Sequence, residues 1–226
     1  MRDSGLDVVL VTARGPLTMR GIAAELGIEG TAICANGALV VDLATQRIVR
    51  QRLLESDVAL ELVHALRERL PGILFAVEHE AFAHEPGFSA WNWTPPAETR
   101  VADAVELLAD PATKLILRHV GHDTVAIQDL ARELVGERAT VVASGSEAVE
   151  VTAAGVNKAT AVAELGIPAG DVVAFGDYPN DIPMLTWAGR GVAMGNAHPD
   201  VIAIADEVTA SNDEDGVALV LERLAG

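Results

Sequence analysis

Two short runs, Val8–Val11 near the start of the chain and Val172–Phe175 near its end, contain no polar residue. A strand with one wet face alternates polar and apolar residues, so an unbroken apolar run must be covered on both sides. In a 226-residue chain the natural setting is a parallel sheet with helices on each face. The neighbouring pattern agrees: a helix is predicted over Thr18–Leu26, ended by Gly27, and a second apolar strand over Thr31–Ala35, closed by the turn pair Asn36-Gly37. Strand, helix and strand in this order begin a doubly wound α/β layer. Aromatic residues make up only 4% of a chain that is 50% hydrophobic, so the core must be built from Ala, Val, Leu and Ile. That composition suits helices packed on a parallel sheet.

From about Leu39 to Glu150 the alternation gives way to a strand-rich pattern. Leu39–Asp42 and Arg47–Arg52 read as a hairpin, and Ser56 is expected to cap a helix reaching Leu70. Strands are predicted over Ile73–Val77, Lys114–His119, Ala139–Ala143 and Ala148–Thr152, with helices over Val101–Leu108 and Asp123–Val135. After Gly155 the strand–helix alternation resumes. The predicted organisation is an α/β core from residues 1–40 and 154–226, with an α+β unit inserted over residues 41–153.

The formal charge of −17 opposes a nucleic-acid partner, whose affinity rests on Lys and Arg, and favours divalent cations. One cysteine, Cys34, excludes an internal disulfide framework and fits a reducing compartment. The N-terminal residues have no apolar secretory core, and no apolar run is long enough to cross a bilayer. The expectation is a cytoplasmic protein with no membrane partner; nothing in the sequence speaks to oligomeric state.

The segment Gly176-Asp177-Tyr178-Pro179-Asn180-Asp181-Ile182-Pro183-Met184 follows the apolar strand, which puts Asp177 at the carboxyl end of a parallel strand. Ligands of open α/β sheets bind at that end. Two carboxylates spanning one strand-to-helix turn can converge on a hard cation such as Mg²⁺, although either can instead cap the following helix.

With its strand, this segment resembles the fourth motif of the haloacid dehalogenase superfamily, and most closely that of Cof-type sugar-phosphate phosphatases with a large α+β cap. Val8 to Arg14, with Thr12 after the strand, resembles the second motif, although Ala13 stands where Gly is usual. Glu150-Val151 through Gly155-Val156-Asn157-Lys158-Ala159 resembles the third motif, with Ala159 again replacing Gly. Met194 to Ala197 and Ser211 to Ala218 resemble the closing segments. The resemblance implies a Mg²⁺-dependent phosphatase of small phosphorylated metabolites such as sugar phosphates. Thr12 and Lys158 would hold the phosphoryl group, Asn180 would orient Asp177 or the phosphate, and Asp177 and Asp181 would serve the metal. Arg14, Asn36, Gly37 and Asn212 are candidate substrate contacts.

The family's first motif, Asp-x-Asp-Gly-Thr, supplies the nucleophile and the general acid/base, and this sequence has no such string. Asp3 and Asp7 fall at the wrong end of the Val8–Val11 run to replace it. A strand and most of a helix are expected upstream of Met1 in a longer protein; the alternative is a catalytically inactive phosphate-binding or regulatory relative. The missing strand would leave two unpaired apolar edges in the core sheet. Trp91 and Trp93 read either as a sugar-stacking wall or as a plug for the inserted unit's core. His79, His84, His119 and His122 lack metal-ligand spacing and read as satisfied or exposed histidines. Cys34 reads as an inert core residue.

Overall fold

The computed structural model describes residues 5–89, 99–145 and 147–225. β1 (Val9–Val11) runs parallel to β2 (Thr31–Cys34), with Val9, Leu10 and Val11 opposite Thr31, Ala32 and Ile33. Between them lies α1 (Pro16–Leu26): Pro16 presets the first helical turn and Gly27, in the left-handed conformation, ends the last. Residues 35–37 form a tight turn, after which β3 (Leu39–Asp42) returns antiparallel to β2 and β4 (Arg47–Gln51) pairs with β3.

This hairpin corrects the expected start of the inserted unit at residue 41, because residues through 51 extend the β1–β2 sheet. The reason is packing. Leu39 and Val41 bury against Met19 and Ala23 of α1, while Val40 joins Ile33 on the other face.

A six-stranded sheet follows. It is built from β5 (Leu74–Glu78), β6 (Phe82–His84), β7 (Arg100–Val101), β8 (Lys114–Arg118), β9 (Ala139–Ser144) and β10 (Ala148–Ala153), in the order β7-β6-β5-β8-β10-β9. The helices α2 (Ser56–Arg69), α3 (Ala104–Leu107) and α4 (Thr124–Val135) contribute to one face, where Phe75, Val77, Leu115, Leu117, Val149 and Val151 meet Leu62, Leu66 and Ile127. Each fully buried Leu or Phe there contributes roughly 1.5–3 kcal/mol. The period-2 alternation then sends Ala76, Glu78, Lys114, Ile116 and Glu150 to the opposite face. Ala76 and Ile116 pack there with Phe88.

Three local expectations change. The helix expected over Val101–Leu108 shrinks to α3, because the Asp103 carboxylate accepts the Val105 N–H and starts the helix late, leaving Arg100–Val101 to pair with β6. The position before α2 is Glu55, not Ser56, whose hydroxyl is buried without a partner among the described residues. The strand β6 had no sequence signal. Trp91 and Trp93 lie outside the described residues. Among the described residues, no helix is long and apolar enough to cross a membrane.

The final third is a parallel sheet, β11 (Val173–Gly176), β12 (Arg190–Ala193) and β13 (Glu207–Val208), accompanied by α5 (Lys158–Ala163), α6 (Ile182–Trp187), α7 (Pro199–Ile204) and α8 (Gly216–Ala225). Among the described residues β1 pairs only with β2 and β11 only with β12, so each keeps one bare edge. Both strands nevertheless feed one core: Val9 and Val11 pack against the cluster that contains Ala174, Ala159 and Leu185.

Candidate active site

The loops after β1 and β2 are stitched together by backbone hydrogen bonds. Thr12 N–H donates to Ile33 O (2.9 Å), Asn36 N–H to Thr12 O (3.0 Å) and Ala35 N–H to Arg14 O (2.9 Å). Thr12 Oγ1 accepts the Arg14 N–H at 3.0 Å, so its own hydroxyl hydrogen is left for another acceptor. Gly37, at φ +110°, sits so close to α5 that a Cβ would lie 2.5 Å from Asn157 O. The turn is thereby pressed against the residue that caps the helix of Lys158, since the Asn157 side chain accepts the Thr160 N–H in a capping box.

At the end of β11 the chain folds back on itself. Asp181 Oδ2 accepts the N–H groups of Asp177 (3.0 Å) and Tyr178 (3.1 Å), and Oδ1 accepts Lys158 Nζ at 2.5 Å. Gly176 permits this approach, because a Cβ there would fall 2.5 Å from Asp181 Cβ. Lys158 and Asp181 are both buried, 6% and 4% exposed, which makes them a desolvated ion pair. Asp181 therefore spends its carboxylate on holding the turn and the lysine. Asp177 is exposed, and its carboxylate makes no hydrogen bond or ion pair among the described residues.

The β5–β8–β10 face supplies a charged floor. Lys114 Nζ donates to Ala13 O (2.9 Å) and Glu150 Oε1 (2.8 Å) and lies 3.1 Å from Glu78 Oε2. Burial works to lower the pKa of this ammonium, but the Glu150 and Glu78 charges hold it well above its ordinary value. Glu150 Oε2 accepts from Asn36 Nδ2, and Asn36 Oδ1 accepts from Asn180 Nδ2 at 3.0 Å. This order has a chemical consequence. A carboxylate only accepts, so Asn36 must turn its NH₂ towards Glu150 and its oxygen towards Asn180. Asn180 then turns its own NH₂ inward, and its Oδ1 is buried without a partner among the described residues.

One open pocket of about 800 Å³ collects these groups. Of the residues singled out from the sequence, Thr12, Arg14, Lys158, Asp177, Asn180 and Asp181 line it. Asn36 and Gly37 lie behind the wall as positioning residues, 3% exposed for Asn36. Asn212 lines no part of this pocket; its N–H donates to Asn196 Oδ1 and its amide to Asp213. The sequence reading missed Glu78, Phe82, Lys114 and Ile116, and passed over Glu150 as a wall residue. For Glu78, Lys114 and Glu150 the one signal was a charge inside or at the end of an apolar strand; Phe82 and Ile116 gave none. His79 and His84 are satisfied by backbone carbonyls, and among the described residues no three His, Cys, Asp or Glu side chains cluster as a metal site.

Comparison with known proteins adds independent findings. A family model described as haloacid dehalogenase-like hydrolase matches residues 1–221. The 5-amino-6-(5-phospho-D-ribitylamino)uracil phosphatase YcsE of Bacillus subtilis is 31% identical over 220 residues, which is 96% of this chain and 81% of that protein. Pyridoxal phosphate phosphatase YbhA of Escherichia coli is 29% identical, over 96% of this chain and 85% of its own length. Among solved structures, the phosphatase BT1666 of Bacteroides thetaiotaomicron superposes with a TM-score of 0.79 at 25% identity, over 99% of this chain and 83% of that one. The subclass IIB sugar phosphatase BT4131 shares the fold with a TM-score of 0.84 at 21% identity, covering 98% and 86%.

Proposed function

Because the chain belongs to the haloacid dehalogenase-like hydrolase family, we propose that its pocket takes the phosphoryl group of a small phosphorylated metabolite, as the activities of YcsE and YbhA suggest. The observation that carries this reading is the convergence of Thr12, Lys158, Asn180 and Asp177 on one pocket from both ends of the chain. Thr12 offers a hydroxyl donor. Lys158, fixed by Asp181, offers the remaining N–H bonds of its ammonium to a phosphoryl oxygen, and such charge-assisted bonds are the stronger kind. Asn180 presents an acceptor, so its partner is a donor: a water or a protonated phosphate oxygen. The six-stranded unit, entered after residue 51, would serve as a cap whose charged floor closes the pocket.

Phosphotransferases of this family generally use Mg²⁺, and the residues fit such an ion in a limited way. The pocket is lined by Arg14, Lys114 and Lys158 against Glu78, Glu150, Asp177 and Asp181, so a phosphate dianion meets an excess of carboxylates. Asp177 has both carboxylate oxygens uncommitted among the described residues, which suits an ion that binds through one carboxylate, substrate oxygens and waters. When bound, Mg²⁺ supplies positive charge to the phosphoryl oxygens.

The sequence holds no Asp-x-Asp-Gly-Thr, and no pocket side chain is assigned the nucleophile's role. Removing a nucleophile from such a unit lowers turnover by several orders of magnitude. The test is therefore binding first. Isothermal titration of the 226-residue chain with inorganic phosphate should show uptake that Mg²⁺ strengthens, and Thr12→Val or Lys158→Met should weaken it roughly ten- to hundredfold. Hydrolysis of para-nitrophenyl phosphate should stay at background. Phosphate affinity untouched by both substitutions would refute the site, and robust Mg²⁺-dependent turnover would show that a residue passed over here is the nucleophile.

A further inference from the structure

The pocket is larger than a phosphate needs, and an opening of about 800 Å³ leaves room for the organic part of an ester. Beyond Thr12 and Lys158 that room is bounded by the floor of the six-stranded sheet. Most of the floor is already committed. The three N–H bonds of Lys114 are taken by Ala13 O, Glu150 and Glu78, and both oxygens of Glu150 are taken by Lys114 and Asn36. Glu78 is different. It is 8% exposed, its Oε2 holds Lys114, and its Oε1 has no hydrogen-bond partner among the described residues although it lines the pocket.

Oε1 lies close against the backbone at Gly15. An ideal Cβ on Gly15 would lie 1.5 Å from it, so the carboxylate occupies the space a side chain at Gly15 would need, beside the start of α1. That helix end also favours a negative charge. A desolvated carboxylate held beside the Thr12 loop, with one accepting oxygen uncommitted, is built to receive a donor.

We propose that Glu78 selects the organic part of the substrate, favouring phosphate monoesters that carry a hydrogen-bond donor, hydroxyl or ammonium, a short distance from the phosphoryl group. Phe82 and Ile116, on the same wall, supply apolar contact for the carbons between. Lys114 is the positioning residue that holds the other oxygen of this carboxylate. The inference rests on the phosphoryl-binding reading above and adds what lies at the other end of the ester.

The experiment measures affinities of the whole chain with Mg²⁺ for inorganic phosphate, ethyl phosphate, glycerol 3-phosphate and phosphoethanolamine. The unaltered chain should prefer the two donor-bearing esters to ethyl phosphate by roughly ten- to hundredfold. Glu78→Ala should erase the preference for donor-bearing esters over ethyl phosphate, a ratio taken within the variant so that any general change in phosphate affinity cancels. Glu78→Gln, which keeps an acceptor but no charge, separates the two chemistries: a loss confined to phosphoethanolamine marks an ammonium, and an equal loss for both marks hydroxyl recognition by the charged group. Gly15→Ala tests the same point without altering any charge, because the new Cβ must push Oε1 aside while φ −74° at this position suits alanine. It should level the preference even if the Glu78 variants fail to fold. Donor-bearing esters preferred as before by Gly15→Ala and Glu78→Gln, with phosphate binding intact, would overturn the proposal. Failure of the unaltered chain to bind inorganic phosphate would instead overturn the reading on which it rests.

Discussion

Replacing Lys114 by methionine keeps most of the side chain's volume and removes only the charge between Glu78 and Glu150. The side chains of Lys114, Glu150 and Glu78 are 5%, 2% and 10% exposed, so solvent does little to screen what remains. Breaking a buried ion pair by removing one partner costs about 3–5 kcal/mol, and here two carboxylates are stranded together. The fold can recover part of that loss by binding a proton on the pair, which the unfolded chain does only near the ordinary glutamate value of about 4.3. A group whose affinity for protons is raised by folding stabilises the native state at low pH and loses that contribution as pH climbs. The variant should therefore be hurt least near pH 5 and most near pH 8, by about 1.4 kcal/mol for each pK unit of raised affinity. In the unaltered chain Lys114 is held charged far above neutrality, so this pH dependence is absent. Urea unfolding followed by circular dichroism at the two pH values reads the effect. A second change, Glu150→Gln in the Lys114→Met background, should restore about 2 kcal/mol, the coupling expected of groups in one network. A loss under about 1 kcal/mol, equal at both pH values, is what a surface pair would give and would refute the buried-floor argument.

Two further outcomes are expected. Gly37→Ala combines a positive φ with a Cβ placed 2.5 Å from Asn157 O, so it should cost about 1–3 kcal/mol and lower the melting temperature by several degrees; unchanged melting would mean that the turn is not pressed against α5. Burial, and next the charge of Glu78, push the Cys34 thiol up to about 12. The unfolded thiol ionises near 8.5, so unfolding is favoured by about 1.4 kcal/mol per pH unit between those values, a slope that Cys34→Ala should remove from a denaturation series above pH 9.

The α/β ends of the chain were legible because their information is local. Val8–Val11 and Val172–Phe175 are apolar without alternation, and Gly27 ends α1 where the sequence marks it. The Gly176–Met184 segment carries its own turn chemistry, since one oxygen of Asp181 takes the N–H groups three and four residues before it. The hairpin at 39–51 was legible as a hairpin but not as part of the first sheet. The first strand of the hairpin, β3, is apolar on both faces, and only tertiary contact with Met19 and Ile33 assigns it. The late start of α3 turned on one side chain, Asp103, competing with the helical pattern of the residues around it.

The site divides along the same line. Thr12, Lys158, Asp177 and Asn180 belong to strings whose chemistry is readable in place, but what each can do depends on partners far away in the chain. Asn180 is the clearest case. As a bare residue type it can donate to phosphate or accept from a donor, and the sequence leaves both open. Glu150 decides between them: it lies 114 residues from Asn36, and Asn36 lies 144 residues from Asn180. Because a carboxylate cannot donate, one charged residue on the floor of the six-stranded sheet fixes two amide orientations in succession and leaves an acceptor at the pocket. Likewise Asp181, which the sequence offers as a metal ligand beside Asp177, has its oxygens filled by Lys158 and two backbone N–H groups. The free carboxylate is the exposed one, Asp177. The six-stranded sheet thus reaches into the pocket through the hydrogen-bond polarity it imposes, and Glu150→Gln alone removes the constraint that makes Asn180 an acceptor.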